Sequence, residues 1–178
     1  MKILVSYATS EGHTRKVARW VADGIYDQGH SVELLRLADA KDIDLDRYDG
    51  VVMAGSVHVG HYQPEVAEFA SEHAAQLGQM PTLFLSVSLA AAGHDAEDWR
   101  GLERILSEFT DATGWTPGRV VQVAGAYMPS AYGVLSRFVM RRIIAEKDPE
   151  ADLDTDHDYT DWSALRRELD SWLAEAEA

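Results

Sequence analysis

Cysteine is absent from this chain of 178 residues. That excludes disulfides, thiolate metal centres and cysteine-ligated iron–sulfur clusters, and no residue is assigned to a metal. Long apolar runs are missing too: nothing approaches the ~18–20 consecutive apolar residues that a membrane-crossing helix requires. The opening run Met1-Lys2-Ile3-Leu4-Val5 turns polar at Ser6, too soon for a secretory signal. The expectation is a soluble protein of the cytoplasm. Cations are scarce, with 16 Lys and Arg against 30 Asp and Glu and a net charge of −14. General nucleic-acid binding works by neutralising phosphates with cations, so this balance argues against it. The acid excess leans towards a salt-rich cytoplasm, where screening tames self-repulsion. A merely acidic bacterial protein is the plainer reading, and neither carries functional weight.

What is present is an alternation of apolar runs with helical patterns. Ile3-Leu4-Val5, Val32 to Leu37, Val51 to Ala54, Leu83 to Leu85 and Val120 to Ala124 read as strands. Thr14, Val17, Ala18, Val21, Ala22 and Ile25 fall at helical spacing and stop at Gly29. Pro64 opens a second helix whose stripe is Val66, Phe69, Ala70, His73 and Leu77, with His73 read as a satisfied core residue. Trp99, Leu102, Leu106 and Phe109 mark a third helix ending at Gly114, and the last starts near Thr160. Trp20 and Tyr7 read as packing residues. Strands apolar on both faces and separated by helices indicate an α/β fold, a parallel sheet covered on both sides. Five such strands fit the doubly wound order 2-1-3-4-5, whose ligand crevice lies beyond the carboxyl ends of the first and third strands. The loops that matter are then residues 7–14, 55–63 and 87–95. The chain reads as a single domain, with a helical and loop insert over about 127–158.

The first loop runs Tyr7-Ala8-Thr9-Ser10-Glu11-Gly12-His13-Thr14. It leaves a buried strand and enters a helix, where free amides and the helix dipole favour an anion. Thr9, Ser10 and Thr14 supply hydroxyls, and Gly12 permits close backbone approach. The pattern is neither G-x-G-x-x-G nor the lysine-bearing P-loop. At these residues the sequence resembles the flavodoxin family, whose FMN-phosphate loop has the form Ser/Thr-x-x-G-x-T. The resemblance implies a flavodoxin-like fold in which Thr9, Ser10, Glu11 (by its amide), Gly12, His13 and Thr14 wrap the FMN phosphate. Glu11 departs from the small residue usual there, and its carboxylate must point away. A plain helix cap is the competing reading, since Ser and Thr favour that position anyway.

The second loop, Gly55-Ser56-Val57-His58-Val59-Gly60-His61-Tyr62, sits at the right strand end to run along a flavin edge. Ser56, Val57, His58, Val59, Gly60 and His61 are assigned to the cofactor, with His58 and His61 as candidates for proton handling. An ordinary polar loop is the alternative for His61 and Tyr62. The third loop, with Ser88, Leu89 and Ala90, has small residues that would leave a flavin face open to a substrate. Nearly end to end the chain resembles the quinone-dependent protoporphyrinogen IX dehydrogenase family. The matching segments are the phosphate loop, Ser56 to Tyr62, Met80-Pro81 before Ser86-Val87, Val123 to Ala126 and Tyr159-Thr160-Asp161-Trp162. That resemblance implies FMN as cofactor, protoporphyrinogen IX as reductant and a membrane quinone as acceptor, in haem biosynthesis. A flavodoxin-type electron carrier without its own substrate is the alternative.

Between Ala126 and Tyr159 lies more chain than a simple strand-to-helix connection needs. Arg137, Arg141, Arg142 and Lys147 are concentrated there against the acid Glu146, with Leu135, Phe138, Val139 and Ile143 on one helical face and Met140 and Ile144 flanking it. Three roles are open: the arginines bind porphyrinogen propionates, the helix makes peripheral contact with an anionic membrane, or its apolar stripe packs on the body. Asp148 to Asp161 reads as a solvated acidic loop.

Overall fold

The computed structural model describes residues 1–40 and 42–178, with backbone alone at 134–136. The chain runs β1 (Lys2–Tyr7), α1 (His13–Asp27), β2 (Ser31–Arg36), β3 (Gly50–His58), β4 (His61–Tyr62), α2 (Pro64–Glu72), α3 (Ala74–Leu77) and β5 (Thr82–Ser88). It continues through α4 (Ala96–Thr113), β6 (Arg119–Ala124), β7 (Ala126–Tyr127), α5 (Val134–Lys147), β8 (His157–Asp158) and α6 (Trp162–Ala176). Five strands pair in parallel in the order β2-β1-β3-β5-β6. With the short β4 set aside, this is the expected 2-1-3-4-5.

The apolar runs become the inner strands because both their faces are covered. Ile3, Val5, Val52, Leu83 and Leu85 face α1 and α6, whose stripes Val17, Val21, Ile25, Leu165, Leu169 and Trp172 close that side. Leu4, Val51, Met53 and Phe84 face α2 and α4 through Val66, Phe69 and Phe109. Each such aliphatic side chain contributes about 1.5–3 kcal/mol on full burial. The two cores therefore hold the sheet and the helix starts that frame its carboxyl edge.

Four local readings change. β3 is longer than Val51 to Ala54 and turns into β4, pairing His58 with His61, so the second loop is a hairpin. The helix opened by Pro64 breaks at His73, whose Nδ1 meets Gln76 Oε1 at 3.1 Å while its buried Nε2 has no partner among the described residues. Only half of that imidazole is satisfied. α4 starts earlier than Trp99, because the Asp95 carboxylate accepts from the amides of Glu97 and Asp98 and caps it. Finally, the acidic stretch is not all loop: β8 pairs with β7 in a small antiparallel ribbon, Ala126 opposite Asp158 and Tyr127 opposite His157.

Candidate functional site

β1 ends at Tyr7 and α1 begins at His13, so residues 8–12 are held between a buried strand and a helix start. Gly12 adopts φ +95°, a left-handed turn that L side chains resist. The Gly12 amide donates to Thr9 Oγ1 at 2.9 Å, folding the loop on itself and leaving the Thr9 hydroxyl hydrogen free. No side chain among the described residues caps α1, and its first backbone bond within the helix is Lys16 N–H to Gly12 O. The amides of His13, Thr14 and Arg15 therefore find no acceptor among the described residues, as do the hydroxyls of Ser10 and Thr14. An uncapped N-terminus beside a left-handed glycine presents aligned donors of the kind an anion takes, so the donor set fits a phosphate.

Two residues of this loop behave differently from expectation. The His13 ring turns away from the loop: its Nε2 donates to Thr160 Oγ1 at 2.8 Å, and that hydroxyl donates to Ala124 O at 2.7 Å. Burial lowers the His13 pKa against the opposing pull of Asp158, 3.7 Å away. Its contribution to an anion is thus its amide, while its ring pins the C-terminal segment to α1. Glu11 leans towards the neighbouring strand end, where its Oε2 lies 3.7 Å from His58 Nε2.

At the hairpin, the Ser56 amide donates to Gln63 Oε1 at 3.0 Å and the Gln63 side-chain amide donates to Ser56 Oγ. Gln63 was invisible as a site residue; its one signal is its place directly before the helix-opening Pro64. Val57 is half-buried, His61 is exposed, and Val59 and Gly60 form the turn at φ 49° and 82°. Tyr62 is not at the crevice. It is buried between Phe84 and Phe109, at ring separations of 5.0 Å to each, with its hydroxyl 2.9 Å from Ser86 Oγ.

The third loop is fixed by its own backbone. Ser88 Oγ accepts from the Ala91 amide at 3.2 Å, Ser88 O accepts from Gly125 N–H at 2.9 Å, and Ala90 to Ala92 form a single 3-10 turn. Leu89 and Ala90 are half-buried.

The insert folds back over this edge. Burial raises the Tyr132 phenol, and the charge of Glu11 adds to the rise, so residue 132 lies within electrostatic reach of the phosphate loop. Arg137 Nε and Nη2 donate to Pro129 O at 3.0 and 2.6 Å, and Arg141 pairs with Asp154 and the Leu153 carbonyl. Both arginines knit the insert together and keep only part of their donor forks free. Arg142 is exposed. The expected apolar stripe packs only in part: Phe138 is 72% and Val139 48% exposed, whereas Ile143 is half-buried and the flanking Ile144 is buried. The Leu135 side chain lies outside the described residues.

The 2-1-3-4-5 parallel order, with free donors at the first strand-to-helix turn beside the switch between β1 and β3, defines this molecule as a flavodoxin-type α/β protein. The chain belongs to the flavodoxin-domain family, which matches residues 4–154. Within it, the chain is similar to the protoporphyrinogen IX dehydrogenase (quinone) of Escherichia coli strain K12, at 29% identity over 165 residues, 93% of this chain and 91% of that protein. The Leishmania major protein of the same name is 27% identical over 167 residues, 93% of this chain and 72% of that one. In fold it is similar to oxidised Flavodoxin 2 from Bacillus cereus, with a TM-score of 0.58 at 16% identity over 98% of this chain and 99% of that one. No helix among the described residues is long and apolar enough to cross a membrane.

Proposed function

We propose that this protein binds FMN and uses it to oxidise protoporphyrinogen IX to protoporphyrin IX, passing the electrons to a quinone. The observation that carries the cofactor is the uncapped start of α1, with three amides behind the left-handed Gly12 that find no acceptor among the described residues. Thr9, Ser10, Gly12 and Thr14, with the amides of Glu11 and His13, would hold the phosphate. Ser56, Val57, His58, Val59, Gly60 and His61 from the hairpin, with Ser88, Leu89 and Ala90 from the third loop, would border the ring. When bound, FMN supplies hydride-accepting chemistry that no side chain here possesses.

The rest falls to the chain's own groups. Ser88 to Ala92 carry no aromatic ring, which favours a face left open to substrate over a shielded electron carrier. His58 and His61 are the groups suited to accept protons released by the substrate. Arg142, with the free donors of Arg137 and Arg141, is suited to its propionates. The two similar dehydrogenases support this reaction class. An FMN carrier without its own substrate is the second reading, favoured by the net charge of −14, which suits docking to basic partners.

Anaerobic mixing of FMN-loaded protein with protoporphyrinogen tests the choice. Bleaching of the flavin absorbance, restored by a soluble quinone, is the expected result. A flavin that stays oxidised in the presence of substrate would leave the carrier reading standing.

A further inference from the structure

We propose that a cavity between the third loop and the end of α5 binds the ring of a quinone, in both its oxidised and its reduced form. The choice of quinone rests on the function proposed above. The cavity itself rests on geometry.

It measures about 180 Å3 and is lined by Leu89 and Ala92 of the third loop, Ile144 and Lys147 of α5, and Asp148 and Tyr159. Its walls are braced independently of any ligand. Trp99 Nε1 donates to Gly93 O at 2.9 Å, Ser88 Oγ caps the Ala91 amide, and Lys147 Nζ pairs with Asp98 across on α4. Pockets for drug-sized ligands run to about 300–1,000 Å3. This volume therefore admits one or two fused rings and is too small for a tetrapyrrole. Size separates the two substrates of the proposed reaction.

The lining chemistry separates them further. Leu89, Ala92 and Ile144 give apolar walls for a flat ring. The polar groups are gathered together, since Lys147 and Asp148 are consecutive and the Tyr159 hydroxyl donates to Asp148 Oδ2 at 3.1 Å. An oxidised quinone presents only carbonyl acceptors, and Lys147 has donors beyond the one given to Asp98. A reduced quinone presents hydroxyl donors, and the Asp148 carboxylate has lone pairs beyond those used by Tyr159. Burial, followed by Asp148, pushes the Tyr159 phenol up to about 12, so it keeps its proton and holds the carboxylate in place through the working pH range. The site thus has a partner for either redox form without rearranging. It also shares Leu89 with the loop assigned to the flavin, which puts donor and acceptor sites on one short segment.

The test uses menadione and its reduced form on the FMN-loaded full chain, by saturation-transfer NMR, anaerobically for the latter. Ala92→Trp should abolish the transfer by filling the cavity. Lys147→Met should weaken menadione by about tenfold, the equivalent of one charge-assisted hydrogen bond. FMN affinity, read by fluorescence titration, should stay within about twofold in both variants, far below a 1.4 kcal/mol change. No signal from the unaltered chain overturns the proposal, as does undiminished binding in either variant. If Ala92→Trp does not fold, Lys147→Met still decides. Flavin bleaching by protoporphyrinogen without menadione binding would sink the cavity and leave the oxidation of protoporphyrinogen standing. Menadione binding without bleaching would do the reverse.

Discussion

Glu11 puts a carboxylate into a loop whose other groups all favour an anion. Charges about 4 Å apart at a protein surface interact by roughly 1–4 kcal/mol. Glu11→Gln is therefore expected to tighten FMN in fluorescence titrations of the apoprotein. A Glu11→Gln variant that binds more weakly would mean that the carboxylate supports the loop. The hydroxyls make a second prediction: Ser10→Ala with Thr14→Val should cost about 1–3 kcal/mol per lost hydrogen bond to a charged phosphate. Unaltered affinity in that double variant would remove the phosphate from this loop. His13 gives a third. Its folded pKa is lowered, while the unfolded ring titrates near its ordinary value of about 6.5. Between those values the unfolded chain binds more protons, so stability is full above about pH 6.5 and falls as pH drops through the native pKa. His13→Gln keeps a donor for Thr160 and cannot titrate. Urea midpoints at about pH 7.5 and 5 should differ less in that variant than in the parent.

At the scale of elements, the β3–β4 hairpin and the insert hold the unexpected features. Val59 is β-branched, 99% exposed and at φ 49°. A β-branched residue in the left-handed region is strained by about 1–3 kcal/mol, and nothing is gained here by burial. Val59→Asn before Gly60 creates the Asn-Gly pair that such two-residue turns favour, and it should raise the melting temperature. If it lowers it instead, the valine serves a contact made only in a complex. On the insert, Arg137 and Arg141 brace the chain from Pro129 to Asp154. Replacing both with Gln is expected to accelerate amide exchange across 128–156 while leaving the sheet protected. Unchanged exchange would show that α5 holds its place without them. Leu89→Trp should leave FMN bound and slow substrate oxidation, because the third loop borders the ring in the proposed site. Untouched turnover would place the substrate elsewhere.

The molecule as a whole carries its −14 charge with few cations to balance it. Raising ionic strength from about 0.1 to 1 M shortens the screening length from about 10 to 3 Å. Self-repulsion should weaken more than pairs such as Arg119 with Glu175, and the melting temperature should rise with KCl. A fall would show that the ion pairs dominate. The same scale separates what was legible from what was not. The inner strands and the helix stripes were readable because each depends on residues within one short window, an apolar run buried on both faces or a 3.6-residue period, and the strand order followed from the rule for such an alternation. Boundaries were less so, since the Asp95 cap and the break at His73 turn on side-chain geometry that periodicity does not encode. The sequence by itself determined the sheet and, through the rule for alternating strands and helices, its order. Only the tertiary structure decided that His13 serves a partner 147 positions away, that Gln63 occupies Ser56, that Phe138 faces outward while Ile144 packs, and that the third loop and α5 enclose a cavity. Those outcomes depend on pairings between distant segments, and no local pattern specifies which of several chemically adequate partners the packed chain brings within reach.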